Sequence, residues 1–449
     1  MSGKATYPKI VVTPPGPKAR ELVRSDESYI SSSTVRWYPL VAESGSGCIV
    51  KDVDGNEFID FNSGLAVLNV GHCHPKVVSA ITEQAKKLIH YSYTDFYYQP
   101  IIDLSRELTK ITPGAHAKRV FFCNSGTEAV EAAMKMTKWH TRNSLFLAYT
   151  GAFHGRTLGA LSLTASKPVQ RRHFFPLVPG TTHVPYPYCY RCPFHLTYPE
   201  CDRWCVDFIE EEVLNKYVPA ENVAAMFVES IQGEGGYVVP PDDYFTRLQK
   251  LLEKHNIIMI DDEIQSGIGR TGKWFAIEHF NVIPDAVCIA KAIGSGLPIG
   301  AFISKDEMMD WEGGSHASTF GGNPVACAAG LAVIDVIRQE HLLENATKQG
   351  AHLMNRLKEM QRKYPIIGDV RGKGLMVGAE IVKDPDTKEP GSELSREIMT
   401  KCFKRGLAII TSGKSTMRFV PPLVITRELL DAGLDVFEGV VKEVAGSAK

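Results

Sequence analysis

The sequence predicts an α/β protein: a large domain on a mostly parallel sheet of the seven-stranded type flanked by helices, plus a smaller α+β domain. Three observations predict it. Short β-rich apolar runs alternate with helical patterns through the middle of the chain, the rhythm of strands buried on both faces. After about residue 325 this rhythm gives way to two long amphipathic helices followed by mixed elements. The chain is 449 residues long, 44% hydrophobic and 22% charged, which is enough for two or three domains with sizeable cores.

The elements follow in order. Residues 1–65 read as an N-terminal segment joining the smaller domain, and residues 66–325 as the large domain. Within it, Lys76 to His90 places Val77, Ile81, Ala85 and Leu88 on one helical stripe. RVFFCN (119–124) is a strand that ends at a turn, and Ser125 with Glu128 then has the S-x-x-E spacing of a capping box. LFLAYT (145–150), AAMFVES (224–230), IIMID (257–261) and DAVCIA (285–290) are further strands, with a helix at Tyr244 to His255. Residues 326–449 form the smaller domain: helices over about 325–340 and 342–363, then LMVGAEIV, another helix, AII and MRFVPPLV.

Composition excludes several classes of function. With 50 basic and 51 acidic side chains the net charge is −1, so no global field draws nucleic acid or a membrane surface. No uncharged apolar run reaches the roughly 18 to 20 residues of a membrane span. The opening MSGKATYPKIVV has no signal-peptide core, so a cytoplasmic location is expected. Of ten cysteines, six (Cys48, Cys73, Cys123, Cys288, Cys327, Cys402) lie in apolar surroundings and read as small core residues. Cys189, Cys192, Cys201 and Cys205 are clustered as C-x2-C and C-x3-C; they could hold zinc, form local disulfides, or stand as unpaired thiols of a surface excursion.

In a sheet of this kind ligands gather at the carboxyl ends of the strands. Ser125, Gly126 and Thr127 sit there at a helix N-terminus, an anion site suited to phosphate, although a plain helix cap reads the same way. GAFHGRT (151–157) offers Phe153 to stack on a planar ring, with His154 and Arg156 beside it; a lone phenylalanine is more often core. Three acids, Asp261, Asp262 and Glu263, follow a buried strand and are expensive there unless paired. Strand alternation puts Asp262 with Ile264 on one face and Asp261 with Glu263 on the other, so Asp262 could hold a ring nitrogen while Ile264 packs beneath the ring. Lys291 leaves an apolar strand among small residues, where desolvation favours the neutral amine of a Schiff-base lysine. Each signal alone has a plain structural reading. Together they are the anion anchor, ring clamp, pyridinium partner and aldehyde partner that pyridoxal phosphate requires.

At these residues the sequence resembles the class III pyridoxal-phosphate aminotransferases of fold type I. The motifs stand in family order: DGNEFIDFNSG with GHCHP (54–75), NSGTEA (124–129), FHGRT (153–157), ESIQGEGG (229–236), DDEIQSGIGRTGKWFA (261–276), AKAIGSGLPIGA (290–301), STFGGNP (318–324), VRGKGLM (370–376) and MRFVPPL (417–423). The resemblance implies that Lys291 forms the Schiff base and shuttles a proton, and that Asp262 keeps the pyridinium protonated. It implies Gln265 on the phenolic oxygen, Ile264 and Phe153 sandwiching the ring, and Ser125, Gly126 and Thr127 on the phosphate, with His154 also at the cofactor. Thr319 would reach the phosphate of a partner subunit, so a homodimer with shared active sites is implied.

For substrate, Leu65 stands where ornithine aminotransferases carry tyrosine, and GLAVLN (64–69) looks like the 4-aminobutyrate aminotransferases. Arg156, Glu229 and Arg418 match positions that handle carboxylates, with Glu229 on Arg418 while a mono-acid sits on Arg156. One departure is Ser230, where the family usually has proline after Glu229. The expectation is a transaminase moving the amino group of an ω-amino acid, 4-aminobutyrate first, to 2-oxoglutarate. An amino-acid racemase or epimerase, which has arisen on this scaffold among archaeal members that the N-terminal segment resembles, is the alternative, with an ornithine- or acetylornithine-type aminotransferase beside it. A catalytically silent binding subunit is the reading from another class, and Lys291 with Asp262 speaks against it.

Overall fold

The chain, in a computed structural model that describes residues 7–447, forms two units: residues 76–343, and residues 7–75 with 344–447. The larger unit is built on seven strands: β1 (Lys118–Cys123), β2 (Leu145–Tyr149), β3 (Thr181–Val184), β4 (Val223–Val228), β5 (Ile258–Asp262), β6 (Ala286–Ile289) and β7 (Gly300–Lys305). Their order across the sheet is β1-β7-β6-β5-β4-β2-β3. β3, β2, β4, β5 and β6 pair in parallel, and β7 runs antiparallel to both β6 and β1. Every residue of β4, β5 and β6 is buried, which is why β4 and β6 read as unbroken apolar runs and β5 as one that ends in Asp261 and Asp262.

The helix Gly126–Thr141 covers one face. Its Ala129, Ala132, Ala133 and Met136 pack into a core with Phe146 of β2, Phe227 of β4 and Phe302 of β7. Phe146 and Phe227 meet edge to face at 5.7 Å, so truncating either to alanine costs about 3–5 kcal/mol. The helix Pro324–Gln339, which the sequence reading placed in the smaller domain, packs within the larger unit on the helix Gln99–Ile111. Gly330 allows it: a Cβ there would come within 3.1 Å of Leu104.

The smaller unit has two four-stranded sheets. In one, Ala42–Ser46, Ile49–Asp52 and Glu57–Asp60 run antiparallel, and Leu407–Ala408 joins in parallel, so the N-terminal segment is sewn to the C-terminal part of the chain. The other is antiparallel, in the order Ile367–Lys373, Met376–Ile381, Thr416–Phe419, Ile410–Ser412. Among the described residues no helix is long and apolar enough to cross a membrane.

Candidate active site

The loops that leave the carboxyl ends of β1, β2, β4, β5 and β6 carry the candidate site of the larger unit. After β1, Ser125 is the extended N-cap of the helix Gly126–Thr141 and its Oγ accepts from the Glu128 N–H at 3.3 Å. Glu128 turns back to accept from the Asn124 N–H at 2.7 Å and from the Ser125 hydroxyl at 3.1 Å. The capping-box residues therefore meet, with Glu128 reaching one residue beyond the cap. The first-turn N–H groups of Gly126 and Thr127 head a 16-residue helix, the part that attracts an anion. Gly126 lets Ile264 approach: a Cβ would lie 2.7 Å from Ile264 Cδ1.

After β2, the Gly155 backbone has φ of +142°, and a Cβ there would sit 2.2 Å from Thr127 Oγ1. Only glycine fits a loop that crosses the helix start so closely. Thr157 Oγ1 is 2.7 Å from Thr127 Oγ1 and donates to Glu131 at 2.5 Å. Sequence reasoning does not reach Thr157 and Glu131: a threonine that closes FHGRT and a helical glutamate give no signal by themselves. Phe153 is half-buried. Arg156 is exposed and its guanidinium lies 5.5 Å from the centroid of the Phe153 ring. Among the described residues Arg156 makes no hydrogen bond or ion pair; its contact is the face of Phe153 in the same loop.

After β5, Asp262 is 4% exposed. Its Oδ1 accepts from the Ile264 N–H at 3.1 Å and its Oδ2 meets His154 Nδ1 at 2.7 Å. His154 is buried; burial alone pushes its imidazole down, but the hydrogen bond and negative charge of Asp262 outweigh it and hold it above the ordinary 6.5. His154 therefore stands on Asp262, a pairing that sequence spacing cannot show because 108 positions separate the two. Ile264 is partly buried on the core, and the buried Gln265 Oε1 has no hydrogen-bond partner. After β4, Glu229 accepts from the Phe153 N–H on Oε1 and the Gly233 N–H on Oε2, each at 2.9 Å. Burial pushes its carboxyl up to about 7, with the Asp262 charge adding to the rise and His154 opposing it.

After β6, Lys291 is partly buried and adopts φ of +49°, a left-handed conformation that side chains rarely take. It heads the turn Lys291–Gly294, whose next three residues are buried. Thr319 is exposed on a loop held by Ser318, whose Oγ accepts from the Asn124 side chain at 3.2 Å and the Gly321 N–H at 3.0 Å.

Other expectations fall elsewhere. Leu65 and Arg418 belong to the smaller unit: Leu65 is 49% exposed with φ of +69°, and Arg418 is buried on the strand Thr416–Phe419. Cys189, Cys192, Cys201 and Cys205 line one cavity of about 20 Å³ with Phe194, Leu196 and Trp204. All four are free thiols, and among the described residues no three ligating side chains are arranged to hold a metal. The structure thus forms neither the zinc site nor the disulfides; burial among apolar side chains pushes Cys189 up to about 11 and Cys205 up to about 12.

The larger unit's set fits pyridoxal phosphate on its own geometry. It offers a helix start for the phosphate and a buried carboxylate already oriented by His154. Beside these stand an amide oxygen without a partner and an amine on a strained turn.

Comparison with known proteins agrees. The family model described as aminotransferase class-III matches residues 30–441. The chain is similar to the alanine/serine racemase of Pyrococcus horikoshii, 41% identical over 97% of this chain and 93% of the other. It is also similar to a probable 4-aminobutyrate aminotransferase of Bacillus subtilis, at 37% over 92% and 95%. Among solved structures, a Bacillus anthracis aminotransferase superposes with a TM-score of 0.88 at 31% identity, covering 95% of this chain and 99% of that one. The chain belongs to the class III aminotransferases and is a pyridoxal-phosphate-dependent enzyme of their fold.

Proposed function

We propose that this enzyme is a cytoplasmic, homodimeric transaminase that moves the amino group of an ω-amino acid, 4-aminobutyrate foremost, to 2-oxoglutarate, giving the semialdehyde and glutamate. The observation that carries the reading is Arg156: an exposed guanidinium beside the stacking Phe153, with no carboxylate of its own. A planar bidentate fork of this kind suits a substrate carboxylate.

When bound, pyridoxal phosphate supplies the electron sink that lets a proton leave the carbon bearing the amine. The chain's own residues do the rest in this reading. Lys291 Nζ would take that proton and deliver it to the cofactor side of the shared nitrogen rather than back to the substrate carbon. Asp262, fixed by His154 and the Ile264 N–H, keeps a proton on the ring nitrogen. Ile264 and Phe153 flank the ring, Gln265 meets its phenolic oxygen, and Ser125, Gly126 and Thr127 hold the phosphate together with Thr319 of the partner subunit. Arg156 holds the distal carboxylate and so directs the terminal amine to Lys291. Leu65, Glu229 and Arg418 keep the substrate roles that the family resemblance gives them, as proposals for substitution.

The similarity to an alanine/serine racemase favours a second reading, racemisation of an α-amino acid by the same lysine without an acceptor. An apolar α-amino acid needs no second arginine, so Arg156 favours transfer. A panel of amino donors with 2-oxoglutarate, run beside a chiral assay without acceptor, tests both. Racemisation with no glutamate formed from any donor would replace the transaminase reading.

A further inference from the structure

Three carboxyl groups leave the end of β5 in succession, and the reaction uses one. Asp261 and Glu263 are 0% and 1% exposed. Neither makes an ion pair among the described residues, and no lysine or arginine is prominent among the groups acting on them. Their hydrogen bonds are unequal. Glu263 accepts from the Ser266 hydroxyl on Oε2 at 2.5 Å and from the Ile277 N–H on Oε1 at 2.8 Å. Asp261 accepts from the Ser230 hydroxyl on Oδ1 at 2.9 Å, while its buried Oδ2 has no partner able to donate. The two side chains leave the same face of the strand end two residues apart, and two carboxylates brought together cannot bond without a proton. Like charges this close inside a protein do not both persist.

We propose that Asp261 and Glu263 share one proton, carried on Asp261 Oδ2 and donated to Glu263, and that Asp261 thereby acts as a positioning residue for Asp262. The oxygen without a donor becomes the donor, and the carboxylate better supplied with donors stays the acceptor. Ser230 belongs to the device: the family's usual proline has no hydroxyl to hold Asp261 Oδ1. The pair then carries one negative charge behind Asp262 instead of two and ties the strand end to Ser230 on one side and Ile277 on the other.

The titratable neighbours are Asp262 on the same strand, Cys288 of β6, Tyr186, and Glu229 with His154 beyond Asp262. The buried Arg270 lies in the turn that follows. Burial raises both carboxyls, Glu263 to about 7. The positioning role rests on the proposed role of Asp262; the proton itself does not.

The test has two parts. Infrared spectra of the holoenzyme labelled with 13C-aspartate, at about pH 7, should show a protonated-carboxyl band that Ser230→Ala shifts and Asp261→Asn removes. Absence of that band in the wild type overturns the proposal, whatever the variants do. The second part reads the pH midpoint of the bound cofactor's absorption. Glu263→Leu removes the pair's charge and offers Asp261 Oδ2 no donor that would let it ionise instead, and should change the ionisation constant at least about tenfold. Asp261→Asn mimics the protonated acid, donating to Glu263 and accepting from Ser230, and should leave the midpoint in place. Equal shifts in the two variants would remove the proton from Asp261. Neither part measures turnover, so failure here is distinct from failure of the transaminase reading.

Discussion

Replacing His154 with leucine removes the N–H that Asp262 Oδ2 accepts and the positive charge opposite it, while roughly keeping the volume. The two atoms are 2.7 Å apart and the side chains are 0% and 4% exposed. At an effective dielectric constant near 20, unit charges at that distance attract by about 6 kcal/mol, part of which desolvation of the imidazolium takes back. Breaking a buried pair by removing one partner costs about 3–5 kcal/mol, since the remaining charge is left uncompensated. The sign with pH follows from the direction of the His154 shift. Its folded pKa lies above the ordinary 6.5, so the pair's contribution is complete below that value and declines as pH rises through the folded value. Urea unfolding of the cofactor-free enzyme at about pH 6 should show the full loss in His154→Leu. In alkali, once pH exceeds the folded value, only a neutral hydrogen bond remains to be lost, about 1–3 kcal/mol. A loss under about 1 kcal/mol at both pH values, or a larger one in alkali, would refute the account of Asp262 as a carboxylate held by an imidazolium.

Lys291→Ala should abolish turnover and leave the cofactor bound only noncovalently; a borohydride-reducible cofactor–lysine adduct at the site would show that another amine does the work. Arg156→Lys should lower kcat/KM for 4-aminobutyrate and for glutamate by about tenfold or more, because an ammonium cannot reproduce the fork. Unchanged kinetics would take Arg156 out of the site. The Cys189 and Cys205 thiols, pushed up by burial, should react with iodoacetamide at about pH 8 at least about tenfold more slowly than a free cysteine. Reaction at the rate of free cysteine would mean that the excursion opens in solution.

The parallel strands were legible wherever they run through the core. β2, β4 and β6 are apolar throughout, β5 is apolar up to its two terminal aspartates, and all four lie within two residues of the segments read from the sequence. β3 and β7 are not legible in the sequence. β3 is TTHV at a sheet edge in a proline-rich stretch, and β7 starts within the glycine-rich run after Lys291, where turn signals mask it. The site's parts were legible as residue types at strand ends. Their pairings were not: His154 with Asp262 and Ser230 with Asp261 join separate strand-end loops, and such contacts leave no local period in a sequence. The four cysteines show the opposite limit, a spacing that suggests ligation in a fold that leaves the thiols free.

The left-handed backbone at Lys291 costs about 1–2 kcal/mol for any residue with a Cβ, and glycine alone escapes it. Stability by itself would therefore drive this position toward glycine. A duplicated copy of the gene relieved of its chemistry would gain by drifting that way, and a lysine retained there marks a lineage still held by catalysis. In the laboratory the same pressure should make a glycine variant at 291 melt above the alanine one, although both are equally dead as enzymes.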